Sequence, residues 1–289
     1  MADERFRVAS NVEGDLFVDS SCINCGVSRH YAPKTFGDDG AHAFVKEQPS
    51  SEQDVLDAQL ALLACPAAAI GTSKKQNLSL ARRSFPFALA GSVFVNGYND
   101  RSSFGAHSYF IQGDNENWMV DAPRFTKHLV NNVESMGGLD YIFLTHRDDV
   151  SDADKYAAHF SADRVIHEFE KAAQPDAEII LEGEGDHDVG SARILFTPGH
   201  TSGHMVLLWQ DKYLFVGDHF AGSAYCWHSW EEQIESTKKL GALAEVSWVF
   251  PGHGKGFSVA RGEFPTFIDS TDVCFRYDSP DHAFSYLPV

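Results

Sequence analysis

The chain is 289 residues long, with 43% hydrophobic and 12% aromatic residues. That length accommodates one large domain or two unequal ones, and the apolar content excludes disorder as the main state. Acidic residues outnumber basic ones 41 to 23, for a formal charge of −18. A phosphate backbone or an anionic membrane surface would be repelled, so no nucleic-acid and no membrane partner is expected; a small-molecule substrate or a redox partner remains.

No run approaches the ~20 apolar residues of a spanning helix; the longest, such as Met205–Trp209, have strand length. The first residues, Met1-Ala-Asp-Glu-Arg5, are charged and lack the apolar stretch of a secretory signal. Five cysteines is an odd number, which excludes a fully paired disulfide set. Cys22-Ile-Asn-Cys25 in such a chain points to metal or redox use in a reducing compartment. From these residues alone the expected location is cytoplasmic.

Taken from the N-terminus, Leu16–Asp19 reads as a short strand before the cysteine loop, and His42–Glu47 as a second. Pro49-Ser-Ser-Glu-Gln53 sets a serine N-cap ahead of an acidic first turn, and predicts a helix through Val55–Leu63. Gly71–Arg83 is polar and basic, the composition of a linker. Three parts are therefore expected: residues 1–72, a linker over 73–89, and residues 90–289. In the last part Val93–Val95, Ser108–Ile111, Trp118–Val120, Tyr141–Leu144, Ile179–Leu181, Arg193–Phe196, Val206–Trp209 and Tyr213–Val216 read as strands. Residues 125–136, 153–160 and 230–244 read as helices. Antiparallel strand pairs followed by helices predict two sheets with helices outside, a layered sandwich. Trp209, Trp227, Trp230 and Trp248 are expected in the core, with Cys226 and Cys274 as small buried hydrophobes.

Cys22 and Cys25 stand far ahead of Cys65-Pro66. This resembles a single-cluster bacterial-type ferredoxin, whose C-x-x-C-x-x-C is followed much later by C-P. The resemblance runs over about residues 14–72, including Ala32-Pro-Lys-Thr-Phe36 and the closing Cys65-Pro-Ala-Ala-Ala-Ile70. It implies an α+β ferredoxin-like domain with Cys22, Cys25 and Cys65 as ligands of an iron–sulfur cluster. Ser28 stands where the pattern has its third cysteine. Three thiolates leave three outcomes open: a cube with an open, water-bound or serine-bound iron, a three-iron cluster, or a shell without a cluster.

Four further pieces each follow an apolar run: Thr145-His146-Arg-Asp148-Asp149-Val-Ser-Asp152, Pro198-Gly-His200-Thr-Ser-Gly-His204, Gly217-Asp218-His219 and Pro251-Gly-His253-Gly254. Together they resemble the metallo-β-lactamase superfamily over residues 90–289, which implies an αββα sandwich; Val120-Asp121 fits its early strand ending in aspartate. The superfamily's H-x-H-x-D-H motif is broken here. His146 keeps the first histidine, Asp148 stands at the second, Asp152 takes the aspartate's place after a two-residue insertion, and the last histidine falls on Ala153. The resemblance implies His146, His200 and Asp218 as metal ligands, Asp148 or Asp152 as a fourth, and His253 as a ligand or a partner orienting one. Asp148 and His253 are the candidate catalytic groups, orienting a water or a substrate. Adjacent Asp148 and Asp149 point in different directions, so one of them is expected at the metal, and Asp148 is favoured. His204 and His219 are expected to pack nearby and His187 to sit in a turn.

Two imidazoles and one carboxylate form the facial triad of non-haem iron, and a zinc pair fits poorly where a histidine is lost. The leading expectation is a mononuclear iron enzyme of redox or sulfur chemistry, since persulfide dioxygenases of this superfamily use a similar set. One alternative is a zinc-dependent thioester or ester hydrolase, because the glyoxalase II relatives share the Pro-Gly-His-Thr-Ser-Gly-His run. The other is a non-catalytic iron-binding or sensory protein. A plant and algal plastid group that fuses these two folds carries a motif similar to residues 145–152, which implies the chloroplast stroma as location.

Overall fold

The computed structural model describes residues 2–219 and 226–270; Cys274 lies outside them. The first part is built from β1 (Leu16–Val18), α1 (Val27–Tyr31), β2 (Phe36–Asp38), β3 (Ala43–Val45), α2 (Glu52–Ala64) and β4 (Ile70–Thr72). β1 pairs with β4 and β2 with β3, both antiparallel. Ser51 starts α2 through a capping box: its hydroxyl accepts from Asp54 N while the Asp54 carboxylate accepts from Ser51 N. Val18, Ala32, Phe36, Val45, Ala61 and Ile70 close a small core beneath.

The stretch 73–89, expected as a linker, is folded instead. It carries α3 (Ser79–Ser84) and then β5 (Phe87–Ala90). Arg82 and Arg83 fall in the last turn of α3, where cations complement the helix dipole; an exposed basic helix has the same composition as a tether.

β5 is the edge of a seven-stranded sheet. It continues through β6 (Val93–Val95), β7 (Tyr109–Gln112), β8 (Asn117–Val120), β9 (Tyr141–Phe143), β10 (Asp163–His167) and β11 (Ile179–Leu181), with α4 (Lys127–Ser135) and α5 (Ala153–Phe160) between strands. The second sheet runs in sequence order through β12 (His187–Val189), β13 (Ala192–Phe196), β14 (Met205–Trp209), β15 (Tyr213–Gly217), β16 (Trp248–Pro251) and β17 (Phe257–Ser258). α6 (Trp230–Gly241) and α7 (Phe264–Ser270) flank it. His187, expected in a turn, opens β12.

Side chains alternate between two apolar layers, which is why these strands read as unbroken hydrophobic runs. Trp118, Val120, Phe143, Ile194, Leu207 and Phe215 meet between the sheets. Met119 and Ile142 face Leu129, Val133 and Tyr156 of α4 and α5, while Leu195, Val206, Leu208 and Leu214 face Leu240 and Phe264 of α6 and α7. The architecture is thus an αββα sandwich behind a small α+β segment. Of the tryptophans expected inside, Trp209 is in this core, Trp230 and Trp248 are half-buried, and Trp227 is 69% exposed. Cys226 is half-buried, its thiol donating to Gly199 O.

The two parts share a seam. Val27, Leu60 and Ala64 pack in the same apolar cluster as Phe85, Tyr98 and Leu129. Arg124 Nη2 donates to the carbonyls of Leu63 and Cys65 at 3.1 and 3.2 Å. Tyr31 meets Phe85 edge-on.

Candidate metal centre

Parallel pairing of β8 with β9 and of β15 with β16 brings their C-terminal ends to one rim of the sandwich, where an α/β sheet presents ligands. Asp121 follows β8 and Thr145-His146 follow β9. Thr145 Oγ1 donates to the Asp121 carboxylate at 2.9 Å and lies 3.0 Å from His146 Nδ1. The hydroxyl has a single proton, so Nδ1–H of His146 donates to it and the lone pair is left on Nε2. That Nε2 is buried and has no hydrogen-bond partner, as a metal ligand backed by a second shell requires. Burial lowers the His146 pKa to about 3, even with the opposing pull of Asp218, so the ring is neutral at physiological pH.

Asp218, just past β15, is the hub. Its Oδ2 lies 3.9 Å from His146 Nε2, 3.8 Å from His200 Nε2 and 3.5 Å from His253 Nε2. Burial pushes its carboxyl up, but His253, His146 and His200 together hold it below the usual carboxylate range. Gly217 and Gly252 allow this approach: a Cβ on Gly217 (φ +48°) would come within 2.6 Å of Thr145 Oγ1, and one on Gly252 within 2.5 Å of Asp218 Oδ1. The two sheets are tied at the rim by Met205 N donating to Thr145 O. Glu170 joins the two ligand loops, accepting from Arg147 Nε at 2.7 Å and from Gly203 N at 2.8 Å.

Two groups have ligand atoms within 4.8 Å of one another: His146, Asp148 and His200, and His146, Asp149 and Asp218. Asp148 is half-exposed at the mouth, 3.8 Å from His146 Nε2. Asp149 is buried beneath, where desolvation and the Asp218 and Asp121 charges raise its carboxyl well above the ordinary range. The choice between the adjacent aspartates is therefore one of depth: both reach the site. Asp152 does not. It stands at the N-cap position of α5, pairs with Lys155 at 2.6 Å and accepts from Phe125 N. The residue aligned with the motif's aspartate through a two-residue insertion is thus engaged with Phe125 N and Lys155. His204 and His219 are buried under the ligands; His204 Nδ1 lies 3.2 Å from Thr197 Oγ1 and His219 Nε2 lies 3.1 Å from Thr237 Oγ1. Glu170 escaped sequence reasoning because it lies far from every motif; Asp149, weighed there behind Asp148, reaches the site as well.

The cysteines form a second site. Cys22, Cys25, Cys65 and Ser28 line one apolar cavity with Val18, Val27 and Ile70. Asn24 N and Ala69 N point at the sulfurs of Cys22 and Cys65, 3.4 and 3.3 Å away. Burial, with the neighbouring thiols, pushes the Cys25 thiol up to about 12. The inward N–H donors suit sulfur ligands of a cluster.

One loop touches both sites. A Cβ on Gly105 (φ +85°) would lie 3.0 Å from Cys25 Sγ. Two residues on, His107 N donates to Gly252 O at 2.6 Å, beside His253. Asn99 Nδ2 lies 3.2 Å from His107 Nδ1, which makes that nitrogen an acceptor, and Nε2–H of His107 then donates to His30 Nδ1 at 2.7 Å. Burial drives both rings neutral, His30 to about 4.

Comparison with known proteins fits this division. Residues 18–72 match the family described as the 4Fe-4S single cluster domain of Ferredoxin I. The DIM-1 metallo-β-lactamase superposes with a TM-score of 0.52 at 20% identity, over 63% of this chain and 95% of that one. The chain fuses a single-cluster ferredoxin segment to a metallo-β-lactamase fold. Among curated relatives, the metallo-β-lactamase part is similar to hydroxyacylglutathione hydrolase of Acidiphilium cryptum, 31% identical over 45% of this chain and 56% of the relative. It is also similar to thioesterase pkgB of Emericella nidulans, 27% identical over 55% of this chain and 49% of the relative. The chain thus spans about half the length of these two relatives. The metallo-β-lactamase-like part contributes every ligand candidate of the metal centre, and the ferredoxin-like segment contributes Cys22, Cys25, Cys65 and His30.

Proposed function

We propose that the chain is a mononuclear iron enzyme of redox or sulfur chemistry, with the metal at His146, His200 and Asp218 and with Asp148 and His253 beside it. The observation that supports a redox reading is the shared loop: Gly105 lies against Cys25, and His107 holds the turn that carries His253. The unpartnered Nε2 of His146 and the Asp218 carboxylate between three imidazoles fit a single ion. Iron bound there would supply Lewis acidity and one-electron chemistry. Asp148, half-exposed at the mouth, takes the proton of an incoming thiol or water; His253 orients the group that lies against it. A stromal location and a small sulfur-bearing substrate accompany this reading.

The second reading is a thioester hydrolase, supported by the likeness to a thioesterase and a hydroxyacylglutathione hydrolase. In it Asp148 serves as the base. The two readings separate on anaerobically purified full-length protein. Iron at the centre, with oxygen uptake on a thiol persulfide that disappears in His200→Ala, supports the first. Zinc at the centre, with cleavage of an S-acyl glutathione restored by zinc after chelation, overturns it in favour of the second.

A further inference from the structure

We propose that the Ser28 hydroxyl is the fourth corner of the cysteine cradle, binding one iron of a cluster through oxygen and making that iron the exchangeable one. Three observations place it there. Ser28 repeats the three-residue step from Cys22 to Cys25 and lines the same cavity as the three thiols. It is 8% exposed, fixed in the first turn of α1, whose next-door Val27 is anchored in the apolar seam. Its carbonyl accepts from Ala32 N, while no side-chain hydrogen bond among the described residues engages its hydroxyl, so the oxygen on the cavity lining is free to take a ligand's place.

The cradle's other features favour a cluster over an empty shell: inward N–H donors at Cys22 and Cys65, and one apolar cavity lined by all three thiols. Binding needs no electron transfer. The Ser28 O–H bond breaks, its proton passes to water, and an Fe–O bond forms. An alkoxide is a hard ligand in a set of three soft thiolates, so the iron it holds leaves before the others. The corner falls on the ferredoxin segment and does not depend on which chemistry the metal centre performs.

The test uses the full chain with its metal centre first filled with zinc, so that iron is counted at the cradle alone. Wild type, Ser28→Cys and Ser28→Ala are reconstituted anaerobically with ferrous iron and sulfide and followed by iron and sulfide content and electron paramagnetic resonance. The expected wild type holds about four irons per chain, loses about one as ferrous ion to a stoichiometric chelator, and after one-electron oxidation with ferricyanide shows the oxidised three-iron signal. Ser28→Cys keeps all of its iron under the same treatment, and Ser28→Ala takes up about three from the start. The proposal is overturned if wild type and Ser28→Ala hold the same three-iron cluster, if wild type resists the chelator as well as Ser28→Cys does, or if only Ser28→Cys assembles a cluster. Should Ser28→Ala fail to fold, the wild-type and Ser28→Cys comparison decides alone.

Discussion

His30→Ala removes the ferredoxin segment's grip on the loop that supports the metal centre. The lost hydrogen bond leaves a buried N–H of His107 without an acceptor, which costs about 1–3 kcal/mol. The parallel ring contact, centroids 4.9 Å apart, adds about 0.5–1.5 kcal/mol. A loss of about 3 kcal/mol lowers the melting temperature of a chain this size by roughly 6–12 °C, measured by calorimetry on metal-free protein. The acid limb supplies an independent sign. The folded pKa of His30 is lowered from 6.5 to about 4, so the unfolded chain binds the proton first as pH falls. The stability tied to this neutral ring is whole above about pH 6.5 and is lost progressively toward pH 4, at about 1.4 kcal/mol per unit of pKa difference. His30→Ala should therefore flatten the decline between pH 6.5 and 4. A melting temperature within about 1 °C of wild type at pH 7.5, or an unchanged acid limb, would refute the reasoning.

Asp218→Asn removes the carboxylate oxygen that faces all three imidazoles; with the cysteine cradle left without a cluster, metal content after dialysis should fall from about one ion per chain to near zero, read by elemental analysis. Asp152→Ala, by contrast, should leave metal content at this centre unchanged while costing about 1 kcal/mol of stability in urea, because the Lys155 pair is partly solvated and the Phe125 N–H is the main loss. Gly199→Ala sets a Cβ within 2.6 Å of the Gln233 backbone at φ +144°; a loss of about 2–4 kcal/mol is expected, together with weaker metal retention, since His200 is the next residue.

Much of the sandwich is legible in the sequence because its strands are apolar on both faces: Met205–Trp209 and Tyr213–Val216 are strand runs that no turn residue interrupts. β10 hides behind Asp163 and Arg164. The arginine is buried only because Glu178, Gln174 and the Asp176 carbonyl satisfy it, partners that no local pattern announces. α3 is masked for another reason, its polarity, which an exposed helix and a tether share. At the site, His146, His200, Asp218 and His253 are readable because each ends a strand beside a glycine or threonine that the backbone turn demands. Asp152 misleads because position along the chain does not fix a side chain's partners: its carboxylate is taken up by Lys155 and the Phe125 N–H.

The folded stretch 73–89 changes what kind of object this fusion is. A flexible tether would let the two halves meet at an effective concentration set by its length, and each encounter would be a diffusive event. Here α3 and β5 occupy that stretch, and Arg124 fastens the carbonyl of Cys65 itself to the loop after β8. No search precedes contact. Whatever passes between cradle and metal centre does so across a fixed gap, and its rate is set by that geometry rather than by how often the halves collide. By the same reasoning, cutting the chain near Ser73 should not release two working pieces, because Val27, Leu60 and Ala64 would be stripped of the apolar partners they share with Phe85, Tyr98 and Leu129.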